Sequence, residues 1–213
     1  MKGAKEMDIQ KNKEFEEFLK YGITGSVSKK AIVEGNILRL FFTLVAMAVS
    51  QFSNIVCVIA TLNLILVGIL TYSRQEVTGK EIFWIHGIEA TAFTVIFALI
   101  GTSSAMYVID EKYYLALGSI IVVVYLIVIA LYAGMIMYFI KKGAYSKAQK
   151  TNSRVFFMFF GVGGIAFARV FTKGMSNDTA WQCLSICSYF ISLLSTIGIF
   201  NLIKYYYLKK LEL

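Results

Sequence analysis

From about residue 31 onward the chain alternates long apolar stretches with short charged loops, and its Lys and Arg are sorted into alternate loops. This pattern constrains the fold more than any motif does. A membrane-crossing helix needs about 20 apolar residues in a row, and several such runs follow one another here. Of 213 residues, 58% are hydrophobic, 16% are charged and none is proline. A soluble domain of that size could not bury so much apolar surface. The reading is an all-α integral membrane protein: a six-span transmembrane helix bundle with an amphipathic N-terminal helix.

Residues 1–30 form a polar cytoplasmic stub. Phe15, Phe18 and Leu19 share one helix face among Lys and Glu, and Gly22 is a stop signal. A short amphipathic helix is therefore expected, lying on the membrane surface or against the cytoplasmic end of the bundle, with partner docking as the alternative. Residues 31–213 make the transmembrane domain. The apolar block 37–72 contains one charge, Arg39. As a single helix it would measure about 54 Å against a hydrocarbon core of about 30 Å. It divides into spans at about 33–52 and 55–72, with a turn at Gln51-Phe52-Ser53-Asn54. Further spans are expected at about 82–105, 114–140, 155–172 and 180–203.

Six spans put both termini on one side of the membrane. Eighteen of the 21 Lys and Arg then fall on that side, and the other side holds Lys112, Arg169 and Lys173. By the positive-inside rule both termini are expected to be cytoplasmic, in a multi-pass plasma (inner) membrane protein. A five-span arrangement would place positive loops on both sides. Trp84, Tyr72, Tyr138 and Tyr205–Tyr207 fall at inner boundaries, and Trp181, Tyr107, Tyr113 and Tyr114 at outer ones, as interfacial aromatic belts do. The Ile-, Phe- and Lys-rich composition suits a bacterial membrane. The formal charge of +8 follows from orientation, so nucleic acid is not an expected partner. The first 36 residues lack the early apolar core of a cleavable signal peptide.

Within the spans, Glu89 stands out. In Trp84-Ile85-His86-Gly87-Ile88-Glu89 it falls about 10 Å into the core, where an ionisable side chain is costly and usually functional. His86, the chain's one histidine, lies three residues earlier on the same face and could relay a proton. Arg39 is the counter-charge available to Glu89, so a structural ion pair competes with a proton-binding role. If the helix begins nearer Ile88, both groups are ordinary boundary residues. Two ligands do not make a metal site, and no metal or other cofactor is expected. Asn63, near the middle of span two, reads first as interhelical glue and second as the lining of a path.

Ser185, Ser188, Ser192, Ser195 and Gly198 form a narrow stripe on span six, and Gly161, Gly164 and Ala168 a small-residue face on span five. Such faces let helix backbones approach closely, within one chain or between chains. Gly161-Val162-Gly163-Gly164 lacks the Lys-Ser/Thr of a phosphate loop. Arg169 is expected to snorkel outward or to pair with an outer acid. Cys57, Cys183 and Cys187 show no ligand spacing and read as buried free thiols. Asn177-Asp178-Thr179 is a formal glycosylation sequon too close to the membrane for easy modification.

No nucleophile, base and oxyanion donor come together in the sequence, so an enzyme is not expected. A lipid-directed enzyme with His86 as base is the weakest of the readings. The leading one is a non-enzymatic accessory or partner-binding protein. It would be a subunit of a transport or secretion assembly or an immunity-type protein, with the lipid bilayer and another membrane chain, or a second copy, as partners. The alternative is a small transporter or channel, proton-coupled through Glu89 and His86. That alternative requires Glu89, Asn63 and the serine stripe to meet in one water-accessible cavity.

Overall fold

The structure, a computed structural model, describes residues 13–21, 26–72, 76–147 and 176–211. Its elements run α1 (13–20), β1 (Ser26–Ser28), α2 (Lys29–Val49), α3 (Asn54–Tyr72), β2 (Glu76–Thr78), α4 (Glu81–Ala105), α5 (Tyr114–Lys141), α6 (Ala144–Lys147), α7 (Asn177–Ser195) and α8 (Phe200–Lys210). A 3-10 turn at Glu111–Tyr113 precedes α5, and another at Thr196–Ile199 joins α7 to α8. Four helical stretches are long and apolar enough to cross a membrane: Ile32–Val49, Glu81–Ala105, Glu111–Lys141 and Asn177–Lys210. A shorter apolar stretch, Asn54–Leu66, lies in α3. The chain is thus a helical membrane protein. The expected span 155–172, with Gly161, Gly164, Ala168 and Arg169, lies outside the described residues.

The apolar block 37–72 breaks into two helices at 50–53. Gln51 and Phe52 there have φ of 52° and 58°, the left-handed region that reverses a chain quickly. The Phe52 N–H donates to the carbonyl of Met47 at 2.8 Å, closing the end of α2. At the other end of this hairpin the fold departs from all-α. Ser26–Ser28 pairs antiparallel with Glu76–Thr78, Val27 opposite Val77. Three-residue strands carry no readable period. Their pairing becomes favourable only once α2 and α4 bring them together, and it buries Val77 against Ile32, Ile82 and Ile85.

α4 is the organising helix among the described residues. It packs against α2, α3, α7, α8 and the 3-10 turn before α8. Gly87, Thr94 and Gly101 recur every seventh residue and so share one face. A Cβ added at Gly87 would lie 2.9 Å from the backbone nitrogen of Leu202, and one at Gly101 would lie 3.1 Å from the Tyr189 ring. A Cβ at Gly198 would overlap that of Ala90. Small residues on both sides therefore set the close approach of α4 to the α7–α8 rod. α7 begins on Ser176, whose hydroxyl accepts from the backbone N–H of Thr179. The sequon residues Asn177 to Thr179 are thus the first turn of a capped helix.

α5 is the opposite case. Of its 28 residues only Ile140 is buried. It joins the rest of the bundle near Lys141, where Ile136 and Ile140 share a cluster with Phe18, Leu19, Phe83 and Leu208. Midway along, Tyr125 is hydrogen-bonded to Ser192.

Replacing Gly87 with Val should force α4 from α8 and cost about 1–3 kcal/mol, the range for overpacking a well-filled contact. Gly134→Ala, where a Cβ meets nothing within 4 Å, should leave stability unchanged or slightly raised. Unfolding in detergent followed by circular dichroism distinguishes the two.

Candidate functional site

The charged groups of the spans meet where α2 crosses α4. Arg39 Nη1 lies 3.1 Å from Glu89 Oε1, and His86 Nδ1 lies 3.3 Å from Glu89 Oε2. The second terminal nitrogen of Arg39, Nη2, donates to the side-chain oxygen of Asn36. Glu89 follows the start of α4 by eight residues, about 12 Å along the axis. Gly35 makes room for it, since a Cβ there would sit 3.4 Å from Glu89 Oε1. Apolar clusters flank the pair on either side: Ile32, Val77, Ile82 and Ile85 toward the ribbon, and Ala46, Ile96, Phe97 and Ile100 toward the opposite end.

The three side chains differ in access. Arg39 is 1% exposed, Glu89 22% and His86 49%. A guanidinium so buried needs a counter-ion, because an unpaired charge there costs several kcal/mol. Glu89 supplies one, at charge-contact distance. Among the described residues Arg39 Nε has no hydrogen-bond partner, and Nη1 faces Glu89 without the alignment of a hydrogen bond. Arg39 is thus neutralised but incompletely solvated by the protein. His86, half in the open, lies against the second carboxylate oxygen. The arrangement is an ion pair with an exposed imidazole at its edge. His86 and Glu89 offer two metal donors, and no group of three or more His, Cys, Asp or Glu gathers among the described residues.

The other polar candidates lie elsewhere. Asn63 Nδ2 donates to the carbonyl of Ala92 at 3.1 Å and so ties α3 to α4. Ser185 donates to the carbonyl of Gly101 at 2.9 Å and Ser192 to that of Thr94 at 2.6 Å, while Ser188 is buried beside them. Glu89, Asn63 and the serine stripe thus occupy three separate seams of α4, and the single cavity that joins them in the transporter reading is not formed among the described residues. A groove of about 600 Å³ between α2 and α3, lined by Asn36, Ile65, Gly68 and Ile69, is open and almost wholly apolar. Cys57 and Cys183 are half-buried and Cys187 exposed, so none is the buried thiol expected.

The stripe itself needs one correction. Ser195 turns back to the carbonyl of Ile191, and Thr196 takes the buried place. At 100° per residue Thr196 lies about 20° from Ser185 around the helix, and Ser195 about 80°. Sequence reading also passed over the α4 half of the seam, Gly87, Thr94 and Gly101, whose seven-residue spacing was available. Tyr189, whose hydroxyl lies 2.8 Å from that of Thr102, and Tyr125 carry no such signal, because a Tyr in a span is usually read as an interfacial anchor. Comparison with protein-family models, with curated proteins and with solved structures returns no match.

Glu89→Gln should destabilise the bundle by about 3–5 kcal/mol, because it leaves Arg39 buried without a counter-ion. The double variant Arg39→Met/Glu89→Leu should recover most of that loss. His86→Ala, at an exposed position, should stay within about 0.5 kcal/mol of the parent. A double-mutant cycle on chemical unfolding in micelles reads all three.

Proposed function

We propose that this chain is a multi-pass plasma-membrane protein of six spans with cytoplasmic termini, and that it acts without catalysis by binding another membrane chain. A subunit of a transport or secretion assembly, or an immunity-type protein, fits that description. The observation that carries the reading is α5: a membrane-length apolar helix with one buried residue and, among the described residues, one mid-length hydrogen bond to another helix. Helices that only fill a bundle bury a continuous face, as α4 does. Positive charge gathered in alternate loops supports the orientation. Ser185 and Ser192 of the serine stripe spend their hydroxyls on carbonyls of α4, so the stripe is not offered as the partner face.

A second reading, a small proton-coupled transporter or channel, draws on the contact between half-exposed His86 and Glu89. The tie of Glu89 to buried Arg39 counts against it, because a carboxylate that must stay ionised for a fixed cation is a poor proton carrier.

A photo-crosslinking residue at Val123 or Ile127 should give one discrete adduct with another membrane chain in cells. Crosslinking only to residues 155–172 of the same chain would overturn the partner reading. In proteoliposomes neither the parent nor Glu89→Gln should carry protons. Proton flux in the parent would establish the transporter instead.

A further inference from the structure

One buried ammonium bridges α1 to the bundle. Lys204, on α8, is 8% exposed. Its Nζ lies 4.4 Å from the ring centre of Phe18, 5.0 Å from Phe83, 5.5 Å from Tyr21 and 5.9 Å from Tyr145. It donates to the backbone carbonyl of Tyr21 at 3.1 Å. Among the described residues no carboxylate forms an ion pair with it. The charge is therefore stabilised by aromatic faces and one carbonyl, the arrangement that suits a cation removed from water. These groups come from separate parts of the chain: Phe18 and Tyr21 from α1 and its end, Phe83 from α4, Tyr145 from α6. The cage is complete only while α1 is in place.

Beyond the cage, the described contacts of α1 are one small apolar patch, Phe18 and Leu19 against Phe83, Ile140 and Leu208, and the Phe18 and Tyr21 rings on Tyr145. Its eight described residues are fewer than a helix needs to persist alone in water. Of its side chains only Phe18 and Leu19 are buried, with Phe15 edge-on to Tyr207 at 5.5 Å. Its outer face carries the exposed ion pair of Glu16 and Lys20, which adds little. An element with so few buried contacts opens at far lower free energy than the bundle core. When it leaves, Lys204 loses two rings and its carbonyl but gains water, so opening does not strand the charge.

We propose that α1 is a reversible latch over the Lys204 end of the bundle, bolted by the Lys204 ammonium in a cage that α1 itself completes. Closed, it covers Phe83, Ile140 and Leu208, where α4 begins and α5 and α8 end. Open, it frees that aromatic pocket and loosens the inner attachment of α5. The latch stands independently of whether α5 binds a partner.

Hydrogen exchange on the full chain in lipid nanodiscs tests this. In the parent, amides of 13–20 should be protected. Lys204→Met, which keeps the stem and removes the charge, should speed their exchange about tenfold or more while Glu81–Ala105 stays unchanged. Lys204→Arg, which keeps a cation, should retain protection. Should Lys204→Met fail to fold, Tyr145→Leu removes one wall of the cage and should give the same selective loss. Unchanged exchange at 13–20 on removing the charge would overturn the proposal. So would equal loss in 13–20 and α4, because Lys204 would then hold the bundle and not the latch.

Discussion

The close approach of α4 to the α7–α8 rod is the contact on which the remaining geometry depends. In a bilayer there is little hydrophobic gain in bringing two helices together, so backbone proximity and polar contacts must supply the attraction. Gly87, Thr94 and Gly101 on one side, and Ser185, Ser192 and Gly198 on the other, remove the side-chain bulk that would keep the axes apart. Serine hydroxyls then reach carbonyls of the facing helix. With that face of α4 committed, its other sides remain for α2 and α3, where the Arg39–Glu89 pair and the Asn63 bond form.

The polar groups inside the bundle divide by what they accomplish. Serine, threonine and asparagine side chains satisfy backbone carbonyls and fix helix spacing. Arg39 and Glu89 neutralise each other across two helices and fix which turn of α2 faces which turn of α4. An ion pair of this kind specifies register more than it adds stability, since desolvating both partners consumes most of their attraction. Lys204 is different again: a cation with no carboxylate partner among the described residues, surrounded by rings and one backbone carbonyl.

Much of this was legible in the sequence, for physical reasons that can be named. Apolar run length and charged breaks locate helices because the bilayer forbids unpaired backbone and buried charge. The polar stretch at 51–54 and the helix break at 50–53 coincide for the same reason. Arg39 and Glu89 could be matched because few other charges lie in the runs. The ribbon could not be read, since three residues of Ser-Val-Ser and of Glu-Val-Thr become strands only when distant helices align them. Nor could the Lys204 cage, whose walls are spread from Phe18 to Tyr145 in the chain. Ser195 and Thr196 exchanged roles because a stripe counted by eye drifts from a 3.6-residue period.

The ion pair also has a consequence for synthesis. Arg39 leaves the ribosome some fifty residues before Glu89. The guanidinium of α2 is therefore made before the carboxylate that neutralises it in the folded bundle. The buried pair can form only once the first turns of α4 exist. A contact between α2 and α4 thus ties the earlier-made helix to the later one, across the whole of α3.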